Sequence, residues 1–306
     1  MRVDDVPGWL PGWCADRLGD EPVAVLFVAR RMSTTFGLRL ADGRDVVVKA
    51  REDEGRAASC VAAQSRLADR GFPCARPLTP AVAVGGLAVH AEELRPGGEV
   101  LGGDAPEVAV RYAAVFARLM DDLADAAIAP PLPNPRWARW DHADPGLWPS
   151  IAVLDGKDQG AVPAHVVAVA TRVRARLPAS GLPNVLGHAD FEAQNLRRRD
   201  GRVWVVHDWD SLAWQPEAAL VGAASGTFGN DSPPTLAPVE SSAAFLDAYQ
   251  HLRGRRFTPR ELEVAWAASL WPAAHNARWE ALHGTPPVCG EAVREQAAER
   301  LRRANA

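Results

Sequence analysis

Between His188 and Asp210 the chain reads HADFEAQNLRRRDGRVWVVHDWD, and no other stretch restricts its fold so tightly. Asp200-Gly201 is the dipeptide of a two-residue hairpin loop, whose type I′ turn needs positive φ at both central positions. Such a loop pairs Arg199 with Arg202, Leu196 with Val205 and Asn195 with Val206. Side chains alternate along a strand, so Asp208, two residues beyond Val206, is expected on the face of Asn195. Diagonal neighbours on one face have backbones about 7–8 Å apart. An amide oxygen and a carboxylate at that separation can converge on one hard cation. Mg²⁺ suits them, since it takes one or two carboxylates together with phosphate oxygens and water. Asp190, five residues before Asn195, belongs to the loop at the same end of the hairpin. It is placed there to accept a proton from an attacking hydroxyl.

The remainder of the 306 residues divides near a Pro-Gly-Gly segment at residue 97. Residues 1–97 read as β-rich with one helix. Val23–Val28 is a short apolar run, and Phe36–Leu40 and Val46–Val48 flank the turn Asp42-Gly43. Residues 53–69 have helical spacing and are stopped by Gly71. Leu87–Leu94 is a further strand. Residues 98–306 are mainly helical, with apolar three- and four-residue spacing over 106–127, 162–177, 238–252, 259–282 and 290–304. A Pro- and Trp-rich stretch (130–149) and a small β island (184–210) lie between those helices. The expected domains are therefore 1–97 and 98–306.

Several classes fall away on composition. Net charge is −4, which opposes a nucleic-acid partner. No apolar run approaches the ~18 residues that span a bilayer, and the acidic, proline-containing start does not read as a signal peptide. Cys14, Cys60, Cys74 and Cys289 lack metal-site or disulfide spacing, so the cytoplasm is the expected compartment. A P-loop is excluded because GxxxxGK[ST] is missing. Of 34 basic residues only Lys49 and Lys157 are lysines, which leaves 32 arginines. In such a chain a lysine closing a strand, as Lys49 does, points to a specific chemical need.

His188, Asp190 and Asn195 match the HxDxxxxN loop of the aminoglycoside phosphotransferase and choline kinase-like family, and Asp208-Trp209-Asp210 matches its metal-binding Asp-x-Asp/Glu. Val46-Val47-Val48-Lys49 resembles that family's phosphate-holding strand. Gly71-Phe72-Pro73 through Pro77-Leu78 is similar to its GVPVPRPL-like stretch, and Val89–Leu94 with Arg95-Pro96-Gly97 to its interlobe hinge. Gln215-Pro216 through Leu220 is similar to its GDPxxDLA segment. The chain departs from the pattern at Ala189 and Ala219, and the loop Arg31–Thr35 has no glycine cluster.

The resemblance implies an α+β, protein-kinase-like bilobal fold, with a small β-rich N-lobe and a larger, mainly helical C-lobe around a Mg·ATP cleft. It implies an O-phosphotransferase with ATP (or GTP) and Mg²⁺. Lys49 would hold α/β-phosphates, oriented by a helix acid, Glu54 or Glu52. Ser33 and Thr34 would donate to the phosphates, and the hinge Glu92, Glu93 and Leu94 would offer backbone groups to adenine. Asp190 would be the base. Asn195 and Asp208 would hold Mg²⁺, with Asp210 assisting the metal or organising the loop.

The partner implied is a small hydroxyl-bearing molecule bound by a monomer or homodimer. An aminoglycoside or other antibiotic is the leading acceptor. A sugar, an amino sugar or a choline-like amino alcohol is the alternative, and a nucleotide-binding pseudokinase the second one. A protein kinase is disfavoured because no APE follows Asp208. Trp faces stack on sugars and cations and carboxylates pair with ammonium groups, which marks Asp141, His142, Trp271, His275, Asn276 and Glu280 as acceptor candidates.

Overall fold

The computed structural model describes residues 6–30, 33–231 and 233–306. In chain order the elements are α1 (Trp9–Leu18), β1 (Pro22–Arg30), β2 (Thr34–Leu40), β3 (Asp45–Glu52), α2 (Ala57–Asp69), β4 (Val82–Val84) and β5 (Leu87–Glu93). There follow α3 (Pro106–Leu123), α4 (Ala152–Asp155), α5 (Ala164–Arg176), β6 (Asn184–His188), β7 (Leu196–Arg199), β8 (Arg202–Val206) and β9 (Leu212–Pro216). The chain closes with α6 (Glu217–Thr227), α7 (Val239–Leu252), α8 (Pro259–Ala268), α9 (Trp271–His283) and α10 (Val288–Ala304). Two compact units result. The first contains the residues through Gly98 with 126–133 and Trp204–Asp210. The second contains Glu99–Asp125, Asn134–Val203 and Ser211–Ala306.

The first unit is built on a five-stranded sheet of order β1-β2-β3-β5-β4, with antiparallel neighbours. Its two faces differ because side chains alternate. Phe36, Leu38, Leu40, Val46, Val48, Ala50, Val89 and Ala91 pack with Leu10, Trp13, Cys14 and Leu18 of α1 in one apolar core. The register pairs Thr35 with Lys49 and Lys49 with His90, while Val47 pairs with Glu92. These residues alternate with the core set, so Lys49, His90 and Glu92 occupy the opposite face.

Helix α1 departs from the one-helix expectation. Its Pro11 lies in the first turn, where backbone N–H groups have no partner within the helix and a proline is tolerated. Left-handed Gly19 ends it, donating its N–H to the Ala15 carbonyl. Helix α2 starts at Ala57 rather than residue 53. Gly55 takes a positive φ of 82°, and its N–H donates to the Asp53 carboxylate, so Asp53 and Glu54 turn ahead of the helix.

The second unit is helical around the two-stranded pair β6-β9. Helix α3 packs on α7, α6 on α8, and α10 on both α8 and α9. The segment 259–282, expected as one helix, is two. Pro272 sits in the first turn of α9, where its ring and missing N–H oppose continuation from α8. Helix α6 packs closely on α8 because Gly222 has no side chain: a Cβ there would overlap the Ala265 backbone.

Candidate active site

The residues expected to carry the chemistry fall into two sets, one in each unit. In the first, Lys49 Nζ lies 2.9 Å from Glu92 Oε1, with the two side chains only 12% and 4% exposed. They are diagonal neighbours on β3 and β5, within reach for long side chains. The other Glu92 oxygen accepts from Gln64 Nε2 at 2.8 Å, and that nitrogen also donates to the Ala75 carbonyl at 2.8 Å. Arg51, two residues beyond Lys49, meets Asp210 at 3.1 Å. Burial opposes every charge in this cluster, yet the charges sustain one another. The carboxylates of Glu92, Asp210 and Asp208 hold the Lys49 ammonium above its ordinary range against desolvation. Burial pushes Glu92 up, and Lys49, His90 and the Gln64 hydrogen bond pull it below the usual carboxylate value. Asp210 is likewise lowered, with Arg51 and Lys49 outweighing burial.

The Asp-Trp-Asp run is fixed to this cluster by its middle residue. Trp209 is buried, edge-on to Phe72 at 5.8 Å, and donates its indole N–H to the Val206 carbonyl at 3.0 Å. The Val206 N–H donates to the Pro73 carbonyl at 2.7 Å. Asp208 has a positive φ of 61°, a left-handed conformation that costs an L-residue of order 1 kcal/mol. Strand β8 ends at Val206, so the alternation that set Asp208 by counting from the hairpin stops before it. The turn itself has the expected form, with φ of 51° at Asp200 and 73° at Gly201.

In the second unit, β6 delivers His188 and the loop after it. The Asp190 N–H donates to His188 Nδ1 at 3.1 Å, and Ala189 donates to the Ser211 carbonyl at 2.9 Å. Asn195 follows in a short helical turn, its N–H donating to the Glu192 carbonyl at 3.0 Å. Its side-chain Nδ2 donates to both the Asp190 carbonyl and Asp190 Oδ2, each at 2.9 Å. The amide thus aims the carboxylate and keeps its own Oδ1 as an oxygen donor for a hard cation. Asn195 and Asp208 are both oxygen donors of the kind that suits Mg²⁺.

Several expected roles change. The acid paired with Lys49 is Glu92 on a strand, whereas Glu52 ends β3 and Glu54 lies ahead of α2, before the left-handed Gly55. Asp210 is Arg51's ion-pair partner. Thr34 pairs with Ala50 and so belongs to the apolar-core face, while Thr35 pairs with Lys49; a shift of one residue changes the face. Ser33 is half-buried just before β2, and Arg31 and Met32 of the same loop lie outside the described residues. At the hinge, the Glu93 N–H already donates to the Arg76 carbonyl at 2.9 Å and the Leu94 N–H to the Asp45 carbonyl at 3.4 Å.

The acceptor candidates are mostly interior. Glu280 accepts the Cys289 and Gly290 N–H groups at 2.8 and 3.0 Å and caps the start of α10. Trp271 is buried, donates to the Trp137 carbonyl at 3.1 Å and packs on Trp148. His142 is buried with Nε2 at 3.1 Å from the Leu147 carbonyl. His275 is buried, and burial beside Arg278 brings its pKa down to about 4. Asn276 is half-buried, and Asp141 is exposed and accepts from Asn134 Nδ2 at 3.2 Å. Arg51 and Gln64 were not singled out from sequence, and Trp209 figured only as the middle of Asp208-Trp209-Asp210. Arg51 was findable as a charged residue sharing the Lys49 face by alternation.

No protein-family model matches the chain, and no curated protein matches it. Solved structures do. An amicoumacin kinase, solved with AMP-PNP, Ca²⁺ and Ami, aligns over 90% of this chain and 87% of its own at 12% identity and a TM-score of 0.62. A thermostable variant of the aminoglycoside phosphotransferase APH(4)-Ia, with ADP and hygromycin B, aligns over 97% and 99% at 19% identity and a TM-score of 0.55. An aminoglycoside phosphotransferase from Alicyclobacillus acidocaldarius aligns over 100% and 95% at 15% identity and a TM-score of 0.53. The chain has the α+β, protein-kinase-like fold of these phosphotransferases.

Proposed function

We propose that this protein is a small-molecule kinase that moves the γ-phosphoryl group of Mg·ATP to a hydroxyl. The observation that carries the reading is the Asp190–Asn195 pair. One amide fixes a carboxylate through its nitrogen while its oxygen remains a metal donor. The fold shared with phosphotransferases, and the buried ammonium of Lys49 among three carboxylates, support it.

In this reading the acceptor hydroxyl attacks the γ-phosphorus, its proton passes to Asp190, and the bond to the β,γ-bridging oxygen breaks as ADP leaves. Asn195 keeps Asp190 aimed at that proton. Lys49 neutralises phosphate charge. Asn195 Oδ1 and Asp208 are the oxygen donors that would hold Mg²⁺, which would supply electrostatic stabilisation of the phosphates. Asp210 and Arg51 brace the strand end beside Lys49.

The acceptor class follows from what the carboxylates near the acceptor candidates are doing. Asp141 is engaged by Asn134, Asp144 by Arg139 and Ser150, Asp155 by Ser150 and Arg278, and Glu280 by the α10 N-terminus. A hydroxyl compound of low positive charge, such as a sugar, is favoured over a polycationic aminoglycoside, which needs several unengaged carboxylates.

Calorimetry with Mg·ATP on wild type and Asp208→Ala tests the reading. Saturable, Mg²⁺-dependent binding that the variant loses is expected. An ADP-release screen over sugars, amino alcohols and antibiotics then identifies the acceptor, with Asp190→Asn as the inactive control. Folded protein that binds neither ATP nor GTP in the presence of Mg²⁺ refutes the kinase reading.

A further inference from the structure

We infer that Glu92 is the positioning residue for Lys49, and that this protein has moved that task from helix α2 into the sheet. The inference rests on the nucleotide role of Lys49 proposed above. The family resemblance assigns the task to a helix acid. Here the α2 residue that reaches the pair is Gln64, buried and neutral, and the acid is Glu92 on β5. Gln64 donates to Glu92, so the helix braces the acid and the acid holds the lysine.

The consequence is mechanical. Lys49 and Glu92 stand on adjacent antiparallel strands, with Val47 opposite Glu92 and His90 opposite Lys49. The backbone ladder fixes the separation of their Cα atoms. A displacement of α2 removes the Gln64 brace but leaves ammonium and carboxylate facing each other. In an arrangement with the acid on the helix, the same displacement would separate the pair. The lysine here is set by the sheet at all times, and α2 is no switch for it. The sequence on both sides agrees: Gly55 ejects Glu54 from the helix, and Gln64 makes no ion pair.

The decisive experiment relocates the charge. Mg·ATP affinity is measured by calorimetry, and folding by thermal melting, for Lys49→Ala, Glu92→Gln, Gln64→Ala and the double variant Glu92→Gln/Gln64→Glu. Lys49→Ala and Glu92→Gln are each expected to weaken binding by roughly tenfold or more, since each removes the hydrogen-bonded counter-charge of a buried group. Gln64→Ala should weaken binding less than Glu92→Gln does, because it removes a neutral brace and leaves the charge pair in place. The double variant exchanges acid and amide between positions 92 and 64, which are hydrogen-bonded to each other, and should recover affinity to within about threefold.

Folded Glu92→Gln with wild-type affinity overturns the inference, provided Lys49→Ala is impaired. Unimpaired Lys49→Ala overturns the nucleotide reading itself. Should Glu92→Gln fail to fold, the double variant decides. If it folds and binds, the acid's role is confirmed; if it folds without binding, or also fails to fold, an acid at position 64 is no substitute and the inference falls.

Discussion

The charged sheet face of the first unit and the tryptophan-rich core around α9 contain similar side chains and use them in opposite ways. On the sheet face, buried charges are matched with opposite charges: Lys49 with Glu92, Arg51 with Asp210. Lys49 is pulled up and both acids down, so the ionised forms are retained despite burial. Around α9, His275 is driven toward its neutral form by burial, Arg278 has its pKa lowered by burial against the pull of Asp155, and Glu280 is committed to backbone N–H groups. Arg278 lies over the Trp148 ring at 5.4 Å and Trp148 packs on Trp271 at 5.6 Å. The sheet face retains its charges in pairs; the α9 region consumes its polar groups in holding helices together. A cluster of polar and aromatic residues in sequence is therefore no guide to a binding site until the partners of each group are known.

The largest effect that would break this contrast is on the catalytic side. Asp190→Ala should lower the rate of ADP release in the presence of acceptor by roughly 10²–10⁴-fold with Mg·ATP binding retained, the usual range for a lost general base. A rate within threefold of wild type would remove Asp190 from the mechanism and leave the second unit's loop as a structural feature.

The α9 region is tested by pH. His275 has its folded pKa near 4 against an ordinary value near 6.5. Below pH 6.5 the unfolded chain takes up a proton that the folded protein refuses until about pH 4, so stability falls as pH drops through that window. The interval of about 2.5 units corresponds to at most about 3 kcal/mol. His275→Gln should flatten the fall in melting temperature between pH 7 and pH 4.5 while leaving Mg·ATP affinity unchanged. An unchanged slope would show that His275 is solvated and open to a ligand, against the contrast drawn above.

Glu280→Ala comes next. It removes the acceptor of two backbone N–H groups at the start of α10 and should cost about 1–3 kcal/mol. Chemical denaturation reads this as a lower midpoint at unchanged slope. A stable variant with weakened acceptor binding would return Glu280 to the site.

These differences explain what the sequence could show. The hairpin at Asp200-Gly201, the carboxylate Asp190 and its amide Asn195 lie within a few residues of each other, and local backbone rules place them. Alternation likewise separates the two faces of β3. Glu92 was visible in a strand, but pairing it with Lys49 needs the register between β3 and β5, which depends on 34 intervening residues, 53–86, that contain α2 and β4. The family resemblance implied a helix acid, and Glu54 fell inside the helical pattern until one positive φ at Gly55 took it out. Glu280 reaches across a helix boundary to Cys289 and Gly290, and His142 is defined by a carbonyl at Leu147; such contacts leave no periodic trace. Asp208 was placed by extending a strand two residues past its end, where a left-handed backbone takes over.

The smallest expected effect is the most informative about the acceptor. Asp141 is the exposed carboxylate among the acceptor candidates, with a hydrogen bond from Asn134 at 3.2 Å. Asp141→Asn keeps shape and acceptor oxygen, so stability should change by less than about 0.5 kcal/mol, as for most surface substitutions. For an uncharged hydroxyl acceptor, KM should also stay within about twofold, because no ammonium group loses a partner. A cationic acceptor would respond differently: its KM would rise and the rise would shrink with added salt, since an exposed ion pair is screened. Measuring KM at low and high ionic strength for wild type and Asp141→Asn therefore separates the two classes. Salt-sensitive loss of affinity would restore the polycationic acceptor and place at least one ligand charge beside the Trp-rich segment.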